Sequence, residues 1–392
     1  MTQKEEKRLE KLKRRRFGKT ELMVTEVSFG AMNLRRLETV PQTEEIVNYV
    51  LDQGVNLIDT ARAYNGQLPG GEPVESEVIV GKVIRERQDL TEPIVIVTKG
   101  RGYHPAKFDE DLATSRAKLG IADRRQLHIG ANAIKLVYFF HGINSERWGE
   151  MKATGVLSKI AAAKAAGLIN YIGFSSHYKD TVEIKEAIET NLFDVVELPY
   201  NIFNPSLEPL IELAHRHDLG IINMKAFGGN EMNQMFTMFR EYVELDHEVM
   251  LQYCLANPYI ATVDAGARYP AEFGLDIKAA LAPQPDAAAF AKYREQGAKL
   301  AENFNVKELC RDCRHCQEEF VCPQDLDFPS ILLLHSRYRL AQAFGKETTA
   351  YREEYRRMEL QADRCIQCGQ CVPECEYDLK IPELLERAAQ EL

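Results

Sequence analysis

The sequence has no apolar run near the ~20 residues a membrane-spanning helix needs, which excludes an integral membrane protein built on such helices. It has no surplus of positive charge. Its 392 residues carry 49 Lys and Arg against 59 Asp and Glu, a formal charge of −10, and a general nucleic-acid binder needs the opposite balance. No Gly-x-Gly-x-x-Gly follows an early strand, which argues against an open dinucleotide-binding sheet. Cysteine is nearly missing from the first three hundred residues: only Cys254 lies there, and a small buried core residue is its expected role.

The basic stretch Lys4–Lys19 contains Arg14-Arg15-Arg16-Phe17, which has the look of a twin-arginine export signal. Glu21, Thr25 and Glu26 follow where an apolar segment should be, so a solvated helical lead-in is expected and a cytoplasmic location fits. With 45% hydrophobic and 28% charged residues, the chain is rich enough in apolar side chains to fold throughout.

What is present is an alternation. Strand candidates rich in Val, Ile and Leu lie at Val24–Phe29, Val55–Ile58, Ile94–Thr98, Lys135–Phe140, Tyr171–Phe174, Asp194–Leu198, Ile221–Met224 and Ile260–Asp264. Amphipathic segments separate them at Thr43–Gln53, Glu75–Arg87, Asp109–Leu119, Gly155–Ala166, Asp180–Thr190, Ser206–His217 and Asp246–Ala256. Near-continuous apolar strands indicate burial on both faces, and eight such units point to a (β/α)8 TIM barrel. The expected divisions are 1–16 (basic lead-in), 17–285 (barrel), 286–304 (helical connector) and 305–392 (a mostly α-helical, cysteine-bearing domain). Two long links, 120–134 and 228–245, interrupt the regular spacing.

Barrel chemistry sits where strands end. Just past the second, third and fourth strands stand Asp59, Tyr64, Lys99 and His141. Each alone has an ordinary explanation: a helix cap, a packed ring, a solvated amine, a satisfied core histidine. Four complementary groups at one mouth are harder to explain so.

At these residues the sequence resembles the aldo-keto reductase family. The likeness is carried by Asp59-Thr60-Ala61 with Tyr64, Ser76-Glu77 with Gly81-Lys82, Val97-Thr98-Lys99, and Tyr138-Phe139-Phe140-His141. It continues through Gly173-Phe174-Ser175-Ser176, Pro199-Tyr200-Asn201 and Met224-Lys225-Ala226-Phe227-Gly228-Gly229, and covers about Phe17 to Ile277. The resemblance implies hydride transfer between NADP(H) or NAD(H) and a small carbonyl or alcohol. Tyr64 would move the proton, Lys99 would lower the phenol's pKa, Asp59 would orient Lys99, and His141 would bond the substrate oxygen. It also implies nucleotide contacts from Ser175, Ser176, Glu197, Lys225, Phe227, Gly228, Gly266 and Arg268. Glu197 stands where the family usually has Gln, Ser176 where it has Asn, and Glu272 near a usual arginine. The choice between NADPH and NADH is therefore open.

The remaining cysteines form a second pattern. Cys310-x2-Cys313-x2-Cys316-x5-Cys322-Pro323 precedes Cys365-x2-Cys368-x2-Cys371-x3-Cys375. Triplets with a distant fourth member suit two [4Fe-4S] clusters better than zinc, which pairs cysteines two by two. The expected sets are Cys310, Cys313, Cys316 with Cys375, and Cys365, Cys368, Cys371 with Cys322. This region resembles the two-cluster ferredoxin-type domain, in its helical variety, attached to a subset of bacterial and archaeal aldo-keto reductases. Helices are expected at Ser330–Phe344 and Thr348–Gln361. Glu376 replaces the usual proline after the last cysteine, and Arg311, Arg314 and Arg364 either offset cluster charge or are ordinary surface arginines.

Three readings follow: an NAD(P)H-dependent reductase with clusters, a reductase fed single electrons by a ferredoxin-type partner without bound nicotinamide, and a non-catalytic redox-sensing module. Neither nucleic acid nor membrane is an expected partner.

Overall fold

The computed structural model describes residues 11–121, 127–177, 180–202, 204–228, 246–284, 286–303, 308–310, 314–318, 321–375 and 379–392. The chain divides into two compact units. The first is formed by the segments up to Asn201, Pro205–Ala226 and His247–Asp286; the second gathers Ile202, Asn204, Phe227, Gly228, Asp246 and everything from Ala287 onward. Among the described residues no helix is long and apolar enough to cross a membrane.

The first unit is a closed barrel of parallel strands. In chain order these are β1 (Val27–Gly30), β2 (Leu57–Asp59), β3 (Ile94–Gly100), β4 (Asn132–Ile143), β5 (Tyr171–Ser176), β6 (Val195–Pro199), β7 (Gly220–Met224) and β8 (Thr262–Ala265). Each pairs in parallel with the next, and β8 pairs with β1 to close the ring. All eight strands lie on the stretches whose apolar runs announce them. Outside the strands run α1 (Val40–Asp52), α2 (Ser76–Glu86), α3 (Pro105–Leu119), α4 (Ser145–Thr154), α5 (Val156–Ala165), α6 (Thr181–Glu189), α7 (Glu208–Arg216), α8 (His247–Leu255) and α9 (Pro270–Leu281).

Local chemistry sets the helix ends. Thr39 and Gln42 form a reciprocal capping box at the start of α1. Asn144 caps α4 by accepting from the Arg147 N–H at 2.9 Å. Pro105 opens α3 and Gly120 closes it in the left-handed conformation, φ +77°.

The barrel interior is lined by Leu57, Val95, Val97, Val137, Phe139, Val195 and Ile222, with Phe17 and Val24 packed against them. Phe17 is fully buried, and its close approach forbids a side chain at position 220: a Cβ on Gly220 would lie 2.6 Å from the Phe17 ring.

The N-terminal expectation needs correcting. Arg14–Arg16 is a short strand paired antiparallel with Met23–Thr25, not part of a helix. Arg15 reaches the carbonyls of Leu255 (2.7 Å) and Ile260 (3.0 Å), tying this ribbon to the end of α8. The arginine pattern therefore has a structural use, satisfying carbonyls that a helix end leaves without partners. Residues 4–10 of the basic stretch, and residues 229–245 of the second long link, lie outside the described residues.

From Ala287 onward the described residues are helical: α10 (Ala287–Asn303), α11 (His315–Glu318), α12 (Phe328–Ala343), α13 (Thr349–Arg356) and α14 (Ile381–Glu391). The third of the expected regions, 286–304, is thus mostly one helix, and the helix expected to reach Gln361 stops at Arg356. The core of this second unit combines Leu326, Phe328, Ile331, Leu384 and Leu385 with Cys310, Cys316, Cys371 and Cys375.

Candidate active site and cysteine centre

Side chains alternate along a strand, so the residues that face into a barrel recur every second position. In β2 the inward series is Leu57 then Asp59; in β3 it is Val95, Val97, then Lys99; in β4, Val137, Phe139, then His141; in β6, Val195 then Glu197. The phase that fills the barrel with apolar side chains thus ends, at the C-terminal mouth, in ionisable ones.

They meet there. The Lys99 ammonium is bonded to Asp59 and lies 3.2 Å from Glu197 Oε2, and all three residues are buried. Asp264 of β8 joins them, its carboxylate and those of Asp59 and Glu197 lying within 4.8 Å of one another. Asp264 Oδ1 accepts from Ser28 Oγ at 3.2 Å, and a Cβ on Gly30 would lie 2.5 Å from Asp264 Oδ2. Glycine at 30 leaves the space that this carboxylate occupies.

Lys99 Nζ sits 5.4 Å from the centre of the Tyr64 ring, and the Tyr64 and His141 rings meet edge to face with centres 5.8 Å apart. Tyr64 is placed by the turn that begins at Thr60. The Thr60 N–H donates to Val97 O, the Arg62 N–H to Lys99 O and the Ser76 N–H to Tyr64 O. Arg62 is also paired with the buried Asp111 of α3, whose Oδ2 accepts from the Arg101 N–H.

The charges shift one another. Burial alone would lower the Lys99 ammonium, but Asp59 and Glu197 hold it well above its ordinary value. Burial raises Asp59, and burial together with Glu197 pushes Asp264 up to about 7. Tyr64 corrects an expectation. Lys99 does favour the phenolate, yet burial, assisted by the three carboxylates, outweighs it and holds the phenol above its ordinary value. His141 is held well below its usual value, first by burial and then by the cations around it, so its ring is neutral near pH 7. Its Nδ1 is buried and bonded to no described residue.

The other expected contacts are more dispersed. The Ser175 hydroxyl accepts from the Gly142 N–H at 3.0 Å. The fully buried Ser176 hydroxyl donates to Ile143 O at 2.7 Å and also touches Asp180. Lys225 follows β7 with φ +59°, and its carbonyl accepts from Asn201. Gly266 lies at the end of β8, where a Cβ would come 3.1 Å from the Asn33 amide nitrogen. Arg268 is already paired: Glu272 accepts both its N–H (2.7 Å) and its guanidinium (3.1 Å). Phe227 and Gly228 group with the second unit. Among the residues at the mouth, sequence reasoning missed Asp264; its place in the last β8 turn of the alternation, facing Ser28, was the available signal.

The eight-stranded parallel barrel is matched by the comparisons. The family model described as "Aldo/keto reductase family" covers residues 26–243. The chain belongs to the aldo/keto reductase family.

It is an oxidoreductase enzyme of the aldo-keto reductase type. A 6-dehydroglucose reductase from Novosphingobium aromaticivorans is 25% identical over 41% of this chain, and the match spans 55% of that relative's length. The oxidoreductase YqkF from Bacillus subtilis is 23% identical over 69% of this chain and 91% of its own. A solved aldo-keto reductase from Bacillus halodurans, in its holo form, is 25% identical with a TM-score of 0.58, covering 74% of this chain and 96% of that one.

The second unit holds the cysteines, and none of the described ones is in a disulfide. Cys371 is pushed up to about 11, first by burial, with Cys368, Cys365 and Cys322 also raising it. Cys322, Cys365 and Cys368 thus all act on Cys371, although Cys322 is 43 positions from Cys365 in sequence. Cys310, Cys316 and Cys375 share the buried cluster, and Cys313 lies outside the described residues. Among the described residues no three thiols come within 4.8 Å of one another. A single tetrahedral zinc would need sulfurs about 4 Å apart.

The two triplet loops share a turn. Arg314, between the second and third cysteines of the first, has φ +61°; Gly369, at the same place in the second, has φ +73°. Arg314 is engaged by Asp327 (3.3 Å) and Ser330 (2.6 Å) at the start of α12, which gives it a structural use. Arg364 is exposed, and Arg311 and Glu376 lie outside the described residues.

Proposed function

We propose that this enzyme reduces a small carbonyl compound, or oxidises the matching alcohol, with a nicotinamide nucleotide, Tyr64 acting as general acid and base. The observation that carries this reading is the meeting of Tyr64, Lys99, Asp59 and His141 at one barrel mouth. The nucleotide supplies the hydride that goes to the carbonyl carbon.

The chain's own residues handle the oxygen. As hydride reaches carbon, negative charge grows on oxygen, and the Tyr64 O–H gives it a proton. A phenol kept above its ordinary pKa is fully protonated beforehand, which suits the reducing direction. The Lys99 ammonium, 5.4 Å from the ring centre, steadies the phenolate left behind. Asp59 and Glu197 keep that ammonium charged and fixed. The neutral His141 ring, edge to face with Tyr64, would bond the same oxygen.

The residues fit a nucleotide in part. Ser175 retains an O–H to donate, and Lys225, Gly266 and Arg268 stand at strand ends, with Phe227 and Gly228 following β7 in sequence. The Ser176 hydroxyl is already committed to Ile143 and Asp180. The Arg268–Glu272 pair favours NADH over NADPH, because a carboxylate accepts from a ribose hydroxyl and opposes a 2′-phosphate.

We further infer that residues 305–392 form a ferredoxin-type domain with two [4Fe-4S] clusters, one on Cys365, Cys368, Cys371 and Cys322 and one on Cys310, Cys313, Cys316 and Cys375. Cys322, Cys365 and Cys368 all acting on Cys371, none of them in a disulfide and no three described thiols within 4.8 Å, support this. The matching left-handed turns at Arg314 and Gly369 support it too. A reducing cytoplasm suits such clusters, and a ferredoxin-type protein is their natural electron partner.

Anaerobic titration with NADH and NADPH, followed by fluorescence and by cluster absorbance, tests the reading. Nucleotide binding is expected. Binding with bleaching couples the clusters to the barrel, binding alone makes them structural, and no binding of either nucleotide refutes the nicotinamide mechanism.

A further inference from the structure

The chain is acidic, yet one side of the barrel mouth is not. Arg101 follows Lys99 by two residues past β3, Arg147 lies in the first turn of α4 after β4, and His177 follows β5 directly. All three act electrostatically on His141. Arg147 Nη1 donates to Gly142 O at 2.6 Å, and its guanidinium lies 5.6 Å from the centre of the Tyr103 ring. The Tyr103 hydroxyl in turn donates to His141 O at 2.7 Å. Arg147 is thus held beside the His141 strand end by two separate contacts.

Neither Arg101 nor Arg147 has a carboxylate partner among the described residues. The nearby acids are taken: Glu150 by His104, and Asp111 by Arg62. Within the strand ends the charge reverses, since Asp59 and Glu197 pair with Lys99 and the Asp264 carboxylate lies within 4.8 Å of theirs. The mouth therefore has an acidic floor and a basic rim, with Tyr64 and His141 between them.

We propose that the substrate is an anionic carbonyl compound, whose carboxylate or phosphate binds Arg101 and Arg147 while its carbonyl oxygen lies between Tyr64 and His141. This rests on the reductase reading and names its substrate class. A guanidinium fork matches either anion with paired N–H donors, and the acidic floor repels the anion from the reacting end, so the molecule enters one way round.

Two matched pairs separate charge from shape: 4-carboxybenzaldehyde against methyl 4-formylbenzoate, and glyceraldehyde 3-phosphate against glyceraldehyde. The expected result is a kcat/KM at least about tenfold higher for the anion in one pair or both, falling as salt is raised. Preference in the first pair alone assigns a carboxylate, in the second alone a phosphate. Arg147→Gln and the exposed Arg101→Gln should each reduce the preference several-fold, and Arg147→Lys should restore part of it. Equal rates within each pair, or a preference that survives both glutamine variants, would overturn the proposal while leaving the reductase reading intact. Failure to turn over any of the four aldehydes would count against the reductase reading. Calorimetric titration with benzoate and with inorganic phosphate then decides the anion site, which is refuted if neither binds or if Arg147→Gln binds them equally well.

Discussion

Lys99 Nζ and Glu197 Oε2 are 3.2 Å apart, so the ammonium that faces the Tyr64 ring is shared by carboxylates from two separate strands, β2 and β6. A buried charge that loses its only partner costs about 3–5 kcal/mol, but here a second partner remains after either single loss. Asp59→Asn and Glu197→Gln should therefore each be mild, and the double variant should destabilise by more than their sum. Urea unfolding of the four proteins measures this, with a coupling of about 1–3 kcal/mol expected. Strict additivity would show that Glu197 does not hold Lys99.

Asp264 predicts a pH dependence. Burial, with Glu197 beside it, lifts this carboxyl to about 7, whereas the unfolded chain ionises it near its ordinary value of about 4. Between those values the folded protein holds a proton that the unfolded one lacks, so this group's contribution to stability falls as pH rises through the window. Asp264→Asn removes that fall. Denaturation at about pH 5 and about pH 8 should show the variant gaining stability relative to the parent at the higher pH. An identical dependence in both proteins would show that Asp264 is ionised throughout.

The cysteine assignment predicts iron content. Anaerobically prepared protein should carry about eight iron and eight sulfide per chain. Cys322→Ser or Cys368→Ser should lose up to half of it. Cys254→Ser should lose none, since Cys254 is a buried barrel residue that donates to Tyr200 O. Zinc in place of iron, or loss on changing Cys254, would refute the two-cluster reading.

Glu272 predicts cofactor choice. Parent protein should bind NADH more tightly than NADPH, and Glu272→Gln should narrow or reverse the ratio by leaving Arg268 to the 2′-phosphate. Fluorescence titration with both nucleotides reads this directly. An unchanged ratio would remove Glu272 from the nucleotide site.

The barrel was legible because strands buried on both faces must be apolar throughout, and eight such runs leave few other ways to close a sheet. The helix α4 was not. Its sequence, Ser145–Thr154, is mostly polar, and its stability comes from the Asn144 cap and the packing of Trp148 and Met151. Arg14–Arg16 misled in the opposite sense. Charge suggested a solvated helix, but pairing with Met23–Thr25 and the carbonyls met by Arg15 decide its conformation. Asp59, Lys99 and His141 were visible as the polar ends of apolar strands. Asp264 ends its strand in the same way, but its contacts with Ser28 and Glu197, distant in sequence, show only in the fold. The sign of the Tyr64 shift was equally inaccessible, since it depends on burial outweighing one ammonium.

Single-turnover reduction of 4-carboxybenzaldehyde by nucleotide-loaded Tyr64→Phe protein, beside the parent, shows whether Tyr64 supplies the proton. The hydroxyl is removed while the ring that packs on His141 stays. A loss of about 10²–10⁴-fold with iron content unchanged is expected. A rate within about twofold of the parent, on a protein shown to be folded and loaded, would mean that the proton comes from elsewhere.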